Sequence, residues 1–362
     1  MRAVISLLLL LSCALPVEAK QTKHAGHGVP VKELRNEQEE EKDELKKMRD
    51  ELNDLKSTIM EGSQAMGNLQ SQVIQQAKIH QYRLAVKDGR IEIMPGVFAS
   101  ALTYNGLTPG PTMTATEGDT IRLTVSNESR QPTSFYIDGL ILPHSVSGLP
   151  REGHGVIKPG GAETYQFQVD QAGLFSYHPQ VNHIQQKTQG LFGLMVVDSQ
   201  APKTFSKEQI MVIGQWTAAG ATPNPGGLSK APAPGKVAAA ASASGPTTYF
   251  TVNGKCAPAI PPIAVNKGDR VRLYVANTTS QAVPLQLTGH KFEVVSVSGG
   301  DAMEPHVFRD SYCLQPADRV VLEFLADNPG VWSLASELAH QVTNRGKFPG
   351  GIAIPVIYAG VE

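Results

Sequence analysis

One pattern of turn and strand residues occurs twice in the chain and constrains the fold more than any other feature. In the first copy Asn105-Gly106 precedes Glu117-Gly118-Asp119, and the alternating run Ile121 to Asn127 follows. In the second, Asn253-Gly254 precedes Lys267-Gly268-Asp269, followed by Val271 to Asn277. Asn-Gly and Gly-Asp reverse a chain because Gly and Asn tolerate positive φ. An apolar alternation of period two marks a strand with one buried face. A unit of this kind used twice reads as one β-sandwich built twice. Abundant Gly (34) and Pro (25) agree with a turn-rich β protein.

Each copy closes on a loop that carries candidate chemistry. Gly173 to Val197 reads as a strand ending at His178, a His- and Gln-rich loop, and a second strand from Gly190. The second strand is a continuous apolar run, as expected of a strand covered on both faces. In the second copy the corresponding landmark is Asn328-Pro329-Gly330-Val331-Trp332.

The N-terminal region has a different grammar. Met1-Arg2 and the apolar run to Leu11 read as a secretory signal peptide, with Val17-Glu18-Ala19 as the cleavage site. Residues 1–19 are therefore assigned to the signal and 20–30 to a flexible tail. Processing as a lipoprotein at Cys13 is the alternative. From Val31 to about residue 78, apolar residues recur at 3-4 spacing: Leu45, Met48, Leu52, Leu55 and Ile59, then Met66, Leu69 and Val73. This pattern predicts a coiled coil and self-association, with a trimer among the orders it allows. The seam is too narrow for a core helix.

The remaining boundaries follow from composition. Residues 82–200 form the first sandwich and 201–217 a strand leading to a linker. Residues 218–247, rich in Ala, Pro, Gly and Ser, form that linker, and 248–362 the second sandwich. The formal net charge of -1 gives no reason to expect nucleic acid or an anionic membrane as partner. No segment beyond the signal approaches a membrane span. The compartment implied is periplasmic or extracellular. Cys256 and Cys313 are then expected to form a disulfide rather than to serve as metal ligands.

The string Asn105-Gly106, Pro109-Gly110-Pro111, Glu117-Gly118-Asp119 and Ile121 to Asn127 resembles the opening of multicopper oxidase and copper nitrite reductase domains. Tyr177-His178 and Gly190 to Gly193 resemble the copper loop of the same families. The resemblance covers about residues 82 to 360. It implies an all-β fold of two cupredoxin-like Greek-key sandwiches, here preceded by an α-helical coiled coil. It also implies copper as cofactor, and there the sequence departs. Tyr136 and Asp138 stand where oxidases carry two histidines; Phe135 and Leu140 do so in the nitrite reductase alignment. Pro179 and Gln180 follow His178 where Ser or Cys and then His belong. The second-domain His-Pro-x-His-x-His-Gly-His signature reads Val283 to His290, and Ala335, Ser336 and Glu337 fill the last copper motif.

A blue copper site needs two imidazoles, a thiolate and a weak axial ligand, and no such set can be assembled. By resemblance His178 keeps one metal-ligand position. Asp138 and Glu337 are the candidate catalytic carboxylates, with Glu337 facing His178 across a subunit boundary. Phosphate-binding glycine loops, GxSxG and HExxH are absent. The expectation is a scaffold or binding protein with degenerate copper sites and an unidentified protein partner. The alternatives are a copper-dependent oxidoreductase with one unusual mononuclear site, or a copper buffer without turnover.

Overall fold

A computed structural model of the chain describes residues 31–76, 78–150, 154–218, 247–299 and 307–360. The expected signal peptide, the tail, Cys13 and residues 219–246 lie outside the described residues. Among the described residues the first unit, which ends at Gln72, consists of helix α1 (Val31–Gln76), whose last turn falls in the second unit. Its Leu45, Met48, Leu52, Leu55, Ile59 and Met66 are all exposed, at 46–67%. No described helix is long and apolar enough to cross a membrane.

The remaining unit holds two β-sandwiches. In the first, β1 (Ile79–Met94), β2 (Val97–Tyr104), β4 (Thr120–Asn127) and β6 (Ala162–Gln168) form one sheet in the order β2-β1-β4-β6. The facing sheet runs β3-β8-β7-β5, from β3 (Met113–Thr116), β8 (Gly193–Asp198), β7 (Gly173–His178) and β5 (Tyr136–Asp138). The loop between β7 and β8 holds a short helix, α2 (His183–Thr188).

The second sandwich repeats this plan. Its first sheet runs β10-β9-β12-β17-β14-β15, and β11-β19-β18-β13-β16 faces it. These strands are β9 (Lys207–Ala218), β10 (Thr247–Val252), β11 (Ile263–Val265), β12 (Arg270–Asn277), β13 (Val283–Leu287), β14 (Phe292–Val297), β15 (Phe308–Arg309), β16 (Ser311–Leu314), β17 (Arg319–Leu325), β18 (Val331–Ser336) and β19 (Ala353–Tyr358).

The repeated motif residues make the same bonds in both copies. Asn105 and Asn253 sit at φ 56 and 50. Their Oδ1 atoms accept the N–H groups of Ala85 and Val212 at 2.7 and 2.8 Å. Asp119 and Asp269 close their turns by accepting the N–H groups of Thr116 and Asn266 at 2.8 and 2.7 Å. Asn127 and Asn277 end their strands by donating to the carbonyls of Gln131 and Gln281 at 2.9 and 2.8 Å. Each motif side chain therefore satisfies backbone groups that a turn would otherwise leave without partners.

Strand β9 overturns one boundary. It pairs in parallel with β12 and antiparallel with β10, as β1 does with β4 and β2. The strand expected to lead out of the first sandwich is thus the opening strand of the second. The Ala/Pro/Gly/Ser-rich segment joins two neighbours within one sheet, not two domains.

The continuous apolar run of β8 has a direct cause. Met195 and Val197 enter the core of the first sandwich, with Phe135, Tyr165 and Tyr177. Leu194 and Val196 face the other way, onto Val212, Tyr274, Ala276 and Val321 of the second sandwich. Each fully buried aliphatic side chain contributes about 1.5–3 kcal/mol, so this contact fixes the sandwiches against each other. The same outer face of β17 carries Arg319 on one side of Val321 and Glu323 on the other. Glu323, 2% exposed, is paired with Arg270 and Arg272. Arg319 reaches the candidate site.

Candidate functional site at the face between the sandwiches

Strand alternation decides which side chains meet. Strands β5 and β7 pair with Tyr136 opposite His178 and Asp138 opposite Ser176. Ile137 and Tyr177 point into the core, so Tyr136, Asp138, Ser176 and His178 share the outer face. Phe135 and Leu140 are both buried in that core, where Phe135 packs on Tyr165 and Tyr177 with ring centroids 5.6 Å away. The nitrite-reductase-like ligand positions are therefore apolar filling. The oxidase-like positions remain polar and face out.

Two of the three expected site residues come together. His178 Nε2 lies 2.6 Å from Asp138 Oδ2, and His178 Nδ1 lies 2.9 Å from the carbonyl of Pro179. Both imidazole nitrogens therefore already have an oxygen partner within the protein. A metal ligand must instead present a nitrogen lone pair. The ring is 3% exposed, which holds this arrangement in place. Glu337 is elsewhere: it follows β18, is exposed, and donates its backbone N–H to Pro284 O at 2.9 Å. No contact joins it to His178 within the described residues.

Residues that the sequence reading passed over complete the cluster. Arg319 Nη1 donates to Ser176 Oγ at 3.2 Å and lies 3.8 Å from Asp138 Oδ2, while Nη2 donates to Ser298 O at 3.3 Å. Its Nε has no partner among the described residues. Burial works to raise the Asp138 carboxyl. The His178 hydrogen bond and the charges of His178, Arg319 and Lys187 outweigh it and hold the carboxyl below its usual range. Burial pushes Lys187 below the usual lysine range, and the Arg319 charge adds to this against the pull of Asp138. The available signal was the outward face of β17, where period two sets Arg319, Val321 and Glu323 side by side.

Four of the other histidines have clear settings of their own. His290 is buried, accepts from Tyr358 Oη at 2.6 Å through Nε2, and donates to Thr288 O at 3.2 Å through Nδ1. It is a packing residue, stacked on Tyr358 and edge-on to Trp332. His340 is bonded to Gln281 Oε1 at 2.8 Å. His183 is exposed, its ring centroid 5.8 Å from that of His178. His80 pairs with Asp119 at 2.8 Å. In the second sandwich Gln286 pairs with Ala335 across β13 and β18, and neither offers an imidazole.

The cysteines correct a further expectation. Cys256 and Cys313 are both free. Cys256 is buried beside Trp216 and Tyr249, and burial pushes its thiol up to about 12. Cys313 is exposed on β16, opposite Pro284. Different surroundings, not a shared one, account for their lack of a bond. Neither supplies a thiolate beside two imidazoles, and no group of three or more His, Cys, Asp or Glu among the described residues could hold a metal. The described donor set does not fit a blue or a trinuclear copper centre.

Comparison with known proteins agrees with the fold. Sequence profiles described as multicopper oxidase match residues 85–202 and 230–345. A copper resistance protein A homolog of Pseudomonas syringae pv. tomato is 32% identical over 138 residues, which is 38% of this chain and 23% of that protein. The chain thus spans about a quarter of that relative's length. A blue copper oxidase from Nitrosomonas europaea superimposes with TM-score 0.67 at 26% identity, over 78% of this chain and 86% of that one. A copper nitrite reductase from the same organism gives TM-score 0.60 at 21% identity, over 78% and 94%, a likeness of fold. With both sandwiches matched and the duplicated architecture in place, the chain belongs to the multicopper oxidase family.

Proposed function

We propose that this chain is a non-catalytic scaffold or binding protein of the periplasm or extracellular space, built on the multicopper oxidase fold. The observation that carries this reading is the engagement of both His178 nitrogens by Asp138 and Pro179 at a retained ligand position. An ion-paired cluster with Arg319 replaces the donors a copper centre needs. The signal-like N-terminus supports the compartment. The exposed seam of α1 supports self-association into a coiled coil, a trimer being one order that fits. The test is oxygen uptake by the copper-loaded full chain with phenolic and cuprous substrates, alongside a copper-only blank. Rates equal to the blank support the reading, and turnover above it overturns it.

A second reading has one observation in its favour. Asp138 is 28% exposed and Glu337 is exposed, so a second copy could bring a carboxylate to His178 and release it from Asp138. That reading is a copper-dependent oxidoreductase with a single mononuclear site. It requires that His178→Ala abolish retained copper, whereas the scaffold reading expects no change.

A further inference from the structure

A cleft of about 350 Å³ opens between the two sandwiches, away from the His178 cluster's own hydrogen bonds. Its walls come from the end of α2, from β9 and from the turn after β12. Phe192 and Trp216, both buried, edge its floor. No Asp or Glu lines it.

The polar walls have donors to spare. The carbonyl oxygen of the Gln215 side chain accepts from Ser280 Oγ at 3.3 Å, and that of Gln189 accepts from Gln131 Nε2 at 3.3 Å. Both amides are left with N–H groups that have no partner among the described residues. Lys187 lines the same cleft, and among the described residues its ammonium makes no hydrogen bond or close ion pair, although the Asp138 charge acts on it. Burial disfavours its charged form while the Asp138 charge favours it, and an incoming anion would add a further favourable negative charge.

A second cleft of about 590 Å³ shares Ser100 and Gln189 with the first, and so continues it along the surface. It adds Arg90 and Arg130 against one carboxylate, Asp88, which is paired with Arg130 at 3.2 Å. The joined groove therefore carries an excess of positive charge, which concentrates anions. Its volume lies in the range of ligand sites.

Chemistry selects the occupant. Amide and hydroxyl groups that both donate and accept match the hydroxyls of a sugar. The apolar edges of Phe192 and Trp216 match C–H groups of a pyranose ring. The cations at Lys187 and Arg90 match acidic substituents spaced along more than one ring. We propose that this groove binds an acidic oligosaccharide of the uronic acid type, with a carboxylate at Lys187. The proposal does not depend on whether the chain holds copper.

The test is calorimetric titration of the full mature chain with digalacturonic acid, with a neutral disaccharide of equal size, and with inorganic phosphate as competitor. The uronate should bind, and the neutral sugar should bind at least about tenfold more weakly, the equivalent of one lost charge contact. Lys187→Gln should lose about tenfold in affinity for the uronate, and Lys187→Glu should abolish binding. Phosphate at equal concentration should not displace the sugar. If Lys187→Gln lowers the melting temperature, the exposed Arg90→Gln carries the same test on the adjoining cleft. Absence of uronate binding, equal affinity of the variants and the wild type, or displacement by phosphate at equal concentration would each overturn the proposal.

Discussion

Replacing Asp138 by Asn removes the charge on which the cluster between the sandwiches is centred, while keeping the side chain's shape. The His178–Asp138 hydrogen bond at 2.6 Å is charge-assisted, and such bonds contribute about 1.5–3 kcal/mol. Arg319, 3.8 Å from the same oxygen, would add about 4 kcal/mol at an effective dielectric of 20. Asp138 is 28% exposed, so solvent screening reduces that addition to about 1 kcal/mol. Asn still offers an acceptor and recovers part of the loss. The expected destabilisation is about 2–3 kcal/mol at pH 7. Urea unfolding of wild type and variant across pH measures it. The folded carboxyl is held below its usual range, so its contribution is complete above the unfolded pKa of about 3.9. It is lost as pH falls through the lower folded value. The gap between the two proteins should therefore be constant from about pH 7 to pH 5 and shrink progressively as pH falls below the unfolded value of about 3.9. A gap under about 0.5 kcal/mol at pH 7, or one that does not respond to acid, refutes this account of the cluster.

Other expectations follow from single contacts. Gln186 and Gln341 do the same work in the two sandwiches. Their amides donate to Pro132 O at 2.8 Å and Ala282 O at 2.9 Å, and their carbonyl oxygens accept from Thr133 and Ser336. Changing either to Ala should cost about 1–3 kcal/mol by leaving buried groups unsatisfied, and similar losses from both would confirm the duplication energetically. Of the two cysteines among the described residues, Cys313 should react rapidly in the native protein and Cys256 only on unfolding, as thiol titration of the two single Cys→Ser variants with and without denaturant will show. Leu52→Asn together with Ile59→Asn in the exposed seam of α1 should lower the oligomer order measured by light scattering and leave the β signal in circular dichroism intact. An unchanged mass would show that the helix does not drive assembly.

How much of this was legible beforehand depends on the kind of residue. The turn residues were readable because their chemistry is local: Asn105, Asp119 and Asn127 bond within their own turn or to an adjacent strand, and so do Asn253, Asp269 and Asn277. The continuous apolar run Leu191 to Val197 was readable as a doubly covered strand, although not what covered it. The second cover is Val212, Tyr274 and Val321, and sequence distance hides them. The same limit concealed Arg319, whose partners Ser176 and Asp138 belong to the other sandwich. Strand β9 was misplaced because residues 219–246 separate it from the Asn253-Gly254 turn that identifies its partner. The disulfide was inferred from compartment alone, and the separate settings of Cys256 and Cys313 decide otherwise. His178 and Asp138 were each marked by position in the fold. Their bond to each other required the pairing of β5 with β7.

The central claim is that the retained His178 position is held by protein acceptors and not by copper. Its most direct test is the copper content per chain of the purified mature protein after loading and exhaustive dialysis, with a visible spectrum of the same sample. The account predicts copper no higher than in the dialysis buffer and no blue absorption. One tightly held copper per chain, lost on His178→Ala, would contradict it.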